Sequence, residues 1–368
     1  MRAALLLFIT LQTVFSAAQA QDAVKWYDRV SFSGDMRLRH EYIDKDEKDN
    51  SNHRQRVRVR LKAEGQVEEN LKAVLQIASG NSEAVSTNQT LDGGYNNKNV
   101  DISLAYLMWT PIESIDVLGG KVKNTLYSPG DSELLFDADL NPEGTTLNWR
   151  HKLESGSSFF ANAGVYWYDE RDAETTPGSD IHQYSAQLGM NLAFDESQLT
   201  FGIGHHSFGP IAGDTVIGTN SVGNSITATV YDNRYETSEA FISYALKSGL
   251  NVYAQYAQNG DVSDDNTAYI AGVIYGKPKV KGDWSLSYSY RLTEKDALLG
   301  ALKDSDFANG ETDSSGHKLS GRYQVGNSTI VALTYFMNER NISGDGTAAL
   351  TEKGTAYDRA QLDLSASF

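Results

Sequence analysis

The chain of 368 residues contains no cysteine. A disulfide framework, a thiolate metal site and lipid attachment at a processed N-terminal cysteine are therefore excluded, and stability must come from a hydrogen-bonded scaffold. Proline is scarce, with six residues against 32 glycines and 20 tyrosines. That balance suits strands and turns and is unlike the proline-rich, aromatic-poor composition of disordered chains. Positive charge is also short: 32 Lys and Arg stand against 48 Asp and Glu, a net of −16. Phosphate recognition needs a basic face, so this surface is a poor candidate for nucleic-acid binding and no nucleic-acid partner is expected. Beyond Gln21 no stretch approaches the roughly 20 consecutive apolar residues of a transmembrane helix, and the mean hydropathy is negative.

What is present begins with a basic Arg2, an apolar run from Ala3 to Phe15 and a small-residue end at Ala18, Gln19 and Ala20. This is the layout of a secretory signal. Residues 1–20 are expected to be cleaved and residues 21–368 to form a single domain.

From Arg29 onward the dominant period is two. Trp284, Leu286, Tyr288, Tyr290 and Leu292 alternate with Ser285, Ser287, Ser289, Arg291 and Thr293, which gives a strand with one greasy and one wet face. The pattern predicts sixteen strands: 29–43, 53–66, 70–79, 101–110, 114–123, 144–153, 157–169, 181–194, 198–208, 237–246, 250–260, 267–276, 283–294, 317–325, 328–340 and 357–368. Tight connections alternate with long ones, the long ones at 80–100, 124–143, 209–236, 295–316 and 341–356. An even strand number, short turns on one side and long loops on the other are the marks of an all-β fold: a closed antiparallel up-and-down transmembrane β-barrel with external loops.

Aromatic residues test this reading, because amphipathic rings favour the two bilayer interfaces. Trp26, Trp109, Phe159, Trp284 and Phe368 fall at the ends assigned to the periplasm, and Tyr42, Trp167, Tyr184, Tyr235, Phe336 and Tyr357 at the opposite ends. A soluble β-sandwich also alternates. In hydrocarbon, however, every backbone group must be paired and a cation at mid-bilayer costs about 2–4 kcal/mol; strands 53–66, 181–194, 283–294 and 357–368 carry none on their apolar faces. Three segments are less regular. Strand 114–123 meets Gly119, Gly120 and Lys121, which suggests a bulge or a change of facing, and 267–276 and 328–340 are partly apolar on both faces.

The terminal run Gln361, Leu362, Asp363, Leu364, Ser365, Ala366, Ser367, Phe368 resembles the C-terminal assembly signal of outer-membrane proteins, with Leu362, Leu364 and Phe368 as its apolar positions. The segment Asp304, Ser305, Asp306, Phe307, then Gly310, Thr312, Asp313 and Gly316, resembles the bacterial family called "putative porin". So does the opening Gly34, Arg37, Arg39 strand followed by an arginine-rich one. The resemblance implies a channel-forming barrel inserted by the barrel assembly machinery among outer-membrane lipids and lipopolysaccharide. It also makes a homotrimer an expectation.

A barrel of sixteen strands is wide enough for water, so its lining carries the function. Arg37, Arg39, Arg56, Arg58, Arg60 and Lys62 share inward parity and form a basic ladder. The loop 124–143 carries Asp131, Glu133, Asp137, Asp139 and Glu143 without a basic residue, and also an apolar patch of Leu134, Leu135 and Phe136. This loop is expected to fold into the lumen and set its acids across from the ladder, a constriction that sorts small hydrophilic solutes by size and charge. The alternative is an external acidic loop that meets lipopolysaccharide through divalent ions.

Other readings are weaker. Asp304, Asp306, Glu311 and Asp313 have enough oxygens for calcium, but their spacing does not match an EF-hand and solvated external acids explain them better. His205, His206 and Ser207 lie near the outer end of a strand, yet neighbours in a strand point to opposite faces. His205 is expected at the interface and His206 in the lumen. No nucleophile elbow, phosphate-binding glycine loop or clustered His motif is present, so no cofactor is expected. No enzymatic activity is expected, and the alternatives to a diffusion channel are a plugged barrel serving as an adhesin or structural anchor and a barrel enzyme with no open pore.

Overall fold

The computed structural model describes residues 26–171, 179–216, 222–345, 350 and 352–368. The expected signal segment 1–20 and the side chain of Trp26 lie outside the described residues. Sixteen long strands make the fold: β1 (Val30–Lys45), β2 (Asn52–Glu68), β3 (Leu71–Ser79), β4 (Val100–Ile112), β5 (Ile115–Lys121), β6 (Glu143–Lys152), β7 (Ser158–Asp169) and β8 (Ile181–Phe194). They continue through β9 (Ser197–Phe208), β10 (Tyr235–Ala245), β11 (Leu250–Asn259), β12 (Thr267–Gly276), β13 (Trp284–Thr293), β14 (Ser314–Gly326), β15 (Thr329–Arg340) and β16 (Thr355–Ser367). Each is antiparallel to its neighbour in sequence. β1 also pairs with β16, from Asp35↔Ser367 to Lys45↔Tyr357, and so closes the barrel. Closure leaves no open edge, which is the condition for crossing hydrocarbon with strands. Every strand expected from the period-two pattern is present, with ends displaced by at most three residues. Among the described residues there is no α-helix.

The alternation sorts side chains as the sequence requires. Leu188, Ile203 and Leu333 are about 60% exposed on the outer wall, where lipid rather than water meets them. Thr200, Gln187 and Arg39 are buried on the inner side. The two doubly apolar segments resolve cleanly. On β15, Leu333 and Met337 face out while Phe336 is 1% exposed inside; on β12, Tyr269 and Tyr275 face out and Ile270 faces in.

The aromatic belts need correction at three positions. Trp109, Phe159, Trp284, Phe368, Trp167 and Tyr184 are exposed on the outer surface as expected, but Tyr235, Phe336 and Tyr357 are buried. Tyr235 donates its hydroxyl to Asp296 at 3.0 Å, and Tyr357 stacks against Arg340 at 5.1 Å. Sequence height along a strand places a ring near an interface. Its parity then decides which side of the wall it occupies.

The irregularity expected at Gly119–Lys121 of β5 falls instead on the neighbouring β4, whose register slips against β3 near Ile102 and against β5 after Trp109. The pattern is faint here because the inner face is apolar too: Leu118, Val122 and Tyr166 cluster with Tyr106 and Met108. At the seam, Gly34 and Phe368 exchange backbone hydrogen bonds at 2.9 and 3.0 Å, and the Phe368 ring lies over Gly34 so closely that an added Cβ would sit 2.7 Å from it. The expected assembly-signal residues Leu362, Leu364 and Phe368 are all exposed on the outer wall.

Candidate functional site

The ladder occupies the inner face of β1 and β2, where Arg37 lies opposite Arg58 and Arg39 opposite Arg56. Like charges in register repel, and acids interleave with them. Asp35 bridges Arg58 and Arg60, each at 2.7 Å. Glu41, fully buried, meets Arg54 at 2.6 Å, Arg359 at 2.7 Å, Arg39 at 3.5 Å and Arg56 at 3.7 Å. Asp363 of the closing strand binds Arg39 at 2.6 Å, and Lys62 pairs with Glu64 at 2.9 Å. All six expected ladder residues face inward, but as part of a mixed network rather than a free basic stripe. Asp35 and Glu41 share the inward parity of Arg37 and Arg39 in the same strand, a signal that was legible. Arg359 and Asp363 join only because the last strand closes on the first.

The segment after β5 runs across this interior. Thr125 Oγ1 donates to Asn148 Oδ1 at 2.8 Å, Tyr127 N to Gln187 Oε1 at 2.7 Å, and Arg291 Nη2 to the Ser132 carbonyl at 2.6 Å. Gly130, at φ 61°, rests on the Tyr253 ring where a Cβ would come within 2.3 Å. Leu134 and Leu135 pack with Tyr253, Ala257, Ala268 and Ile270, and Phe136 meets the His206 ring edge-on at 5.1 Å. These contacts explain the apolar patch that the sequence placed among acids.

Of the loop acids, Asp139 reaches the ladder directly, 3.3 Å from Arg60 and 4.0 Å from Arg58. Burial acts to raise its carboxyl, but Arg58 and Arg60 prevail and hold it below the usual range. Asp131 is exposed on a short turn that lines the same cavity. Glu143 does not join them. It is the first residue of β6, shares the outward parity of Leu147 and pairs with Lys121 at 2.8 Å. Strand pairing has claimed it, and that choice is invisible in a count of acids along a loop.

A second segment, between β13 and β14, enters from the other side. Asp137 N donates to the Leu302 carbonyl at 2.8 Å, and Ser305 N to Asp137 Oδ2 at 3.0 Å. Asp306 meets Arg39 at 2.9 Å and Arg359 at 2.7 Å; burial raises it, yet these arginines hold it well below the carboxylate range. Asp304 lies 3.4 Å from Arg291 and 3.8 Å from Lys318. The four acids weighed for calcium do not converge, since Glu311 pairs with Arg340 and Asp313 binds Ser343.

Carboxylate oxygens of Glu133, Asp137 and Asp304 lie within 4.8 Å of one another. Burial and their mutual repulsion raise Glu133 and push Asp137 up to about 9. Arg291 and Lys318 already supply this cluster with countercharge, so a proton fits it better than a dication. Between the two segments and the ladder remains a cavity of ≈ 320 Å³, also lined by Ser285, Ser287, Ser320 and Arg322.

No curated protein matches the chain. Among solved structures, OprB of Pseudomonas putida superposes with a TM-score of 0.62 at 11% identity, covering 94% of this chain and 96% of that one. Salmonella typhi OmpF gives 0.56 at 15% identity over 92% and 97%. Vibrio cholerae OmpT, solved in a trimer form, gives 0.50 at 15% over 92% and 99%. These likenesses establish the barrel. The sequence itself matches the family described as "Putative porin" over residues 43–237 and 223–368, and the chain therefore belongs to that family and forms an outer-membrane porin channel.

Proposed function

We propose that passage of small hydrophilic solutes and ions through this porin is set by an eyelet built from the 124–142 segment and the arginine ladder, narrowed further by the segment around Asp304 and Asp306. The observation that carries this is Asp139, which projects from the acidic loop and stands 3.3 Å from Arg60 on the inner wall. Solutes then pass a cavity of ≈ 320 Å³ with hydroxyls on one side and paired charges on the other. Fixed dipoles of this kind filter by size and orient polar solutes. The protein sits in the outer membrane of a Gram-negative cell, where its external loops face lipopolysaccharide, and works as a homotrimer like the OmpT trimer form. The Leu362, Leu364 and Phe368 terminus is what the assembly machinery would read.

The test is planar-bilayer recording of Asp131→Lys/Asp139→Lys. Conductance should change, and the reversal potential in a salt gradient should move toward anions. If both stay at the wild-type values, the loop does not form the constriction.

A further inference from the structure

We propose that the outer wall of β9 and β10 carries a second activity, hydrolysis of an acyl ester of a membrane lipid, by Ser238, His205 and Glu236. His205 and Ser238 are directly opposite across the two strands. His205 Nδ1 lies 3.1 Å from Ser238 Oγ, and its Nε2 lies 3.2 Å from Glu236 Oε2. The other Glu236 oxygen accepts from Ser207 Oγ at 2.6 Å, which fixes the carboxylate. A hydroxyl, a base within hydrogen-bond reach and an acid that orients the base form the arrangement that activates a serine nucleophile. Sequence adjacency excludes a pairing of His205 with its neighbours, because a strand alternates faces. The serine comes instead from the next strand, which only the register supplies.

The position of the group names the substrate. His205 is three residues from the external end of β9 at Phe208 and is exposed on the outer wall. The next outward pair toward mid-membrane is Ile203↔Ala240, one strand repeat of about 7 Å away. There an apolar groove of ≈ 850 Å³ begins, lined by Leu188, Ile203, Ala240, Ile242, Ala254 and Ala271 among others. Its small alanines leave a hollow on a face that lies in hydrocarbon, so its occupant is an acyl chain. A chain seated there brings its ester carbonyl to the height of Ser238. The shared chemistry is an ester-linked fatty acyl group of an outer-leaflet amphiphile, from a glycerophospholipid or from lipid A.

In the reaction Ser238 Oγ bonds to the ester carbonyl carbon while its proton passes to His205 Nδ1. Glu236 stabilises the resulting imidazolium through Nε2–H. The same proton then goes to the departing alcohol oxygen as the C–O bond breaks. Water attacks the acyl-serine by the reverse proton path and releases the fatty acid. Backbone amides of the wall are committed to the sheet, so an oxyanion would depend on side-chain donors such as the exposed Tyr184, in register with Ser207. Each such donor is worth about 10²–10³ in rate, and turnover is therefore expected to be slow.

The test uses the folded full-length barrel in detergent micelles holding either phosphatidylglycerol or lipid A, with fatty-acid release followed over hours. A fluorophosphonate probe, located by mass spectrometry, reports the nucleophile. Wild type should release fatty acid from at least one lipid and carry the probe on Ser238. Ser238→Ala and His205→Asn should fall to the rate of micelles without protein, while keeping the heat-modifiable mobility of a folded barrel. Release from phosphatidylglycerol or only from lipid A tells the two sources apart. Release equal in wild type and Ser238→Ala on both lipids, with Ser238 unlabelled, overturns the proposal and leaves the pore reading untouched.

Discussion

At the scale of single residues, Glu41 bears the largest share of the charge network. It is fully buried, and the guanidinium groups of Arg39, Arg54, Arg56 and Arg359 lie within 3.7 Å or less. Removing one partner of a buried ionic cluster strands the others, at a cost of about 3–5 kcal/mol. Glu41→Ala is accordingly expected to unfold at lower urea concentration than wild type, by that amount in free energy, when both are refolded into the same detergent. Arg322, which lines the cavity without an ion pair among the described residues, should behave oppositely. Arg322→Ser should leave the unfolding free energy from urea titration within about 0.5 kcal/mol of wild type and alter ion preference in bilayer recordings. The ladder itself was readable from parity, because six cations on alternate residues demand a wet face. Their full neutralisation was not, since beside Asp35 and Glu41 of the same strand it needs Asp363 and Asp306 from distant parts of the chain.

At the scale of elements, the two inward segments meet through Asp137 and Ser305. Asp137 keeps its proton to about pH 9, whereas an aspartate in an unfolded chain loses it near pH ~4. Between these limits the docked loop holds a proton that the undocked loop has released. The contribution of Asp137 to docking is thus largest below pH ~4, weakens as pH rises toward 9 and then levels off, whereas Asp139, held down by Arg58 and Arg60, contributes above the ordinary carboxylate range and loses its share as pH falls. Single-channel records should show more frequent conductance fluctuations at pH 9 than at pH 5, and Asp137→Asn should remove most of that difference. At the seam, Gly34→Val would drive a branched side chain into the Phe368 ring. Overpacking of this kind costs about 1–3 kcal/mol, measurable as a lower urea midpoint of the inserted barrel. Strand existence was legible everywhere, because the period of two is local. The facing of Phe336 was not, because both sides of its strand offer apolar residues, whereas the inward side of Tyr357 follows from its shared parity with Arg359, Gln361 and Asp363.

At the scale of the whole molecule, the outer wall is a band of exposed apolar side chains around a polar interior, so the protein should need detergent or lipid to stay monodisperse. Liposomes containing it should swell in small sugars at rates that fall steeply with solute size, because the two inward segments occupy part of the lumen. Equal swelling for small and large sugars would show that the inward segments do not narrow the passage.

The sequence alone determined the barrel. Alternation, strand length, an even count and the contrast of short turns with long loops are local properties, and in hydrocarbon only a closed ring of such strands satisfies the backbone. Tertiary structure decided the rest. Which long loops turn inward, which acids neutralise which arginines and which serine stands beside His205 are settled by contacts between residues far apart in the chain. Periodicity reports only the immediate neighbourhood of a residue, and those partners meet only once the ring has closed.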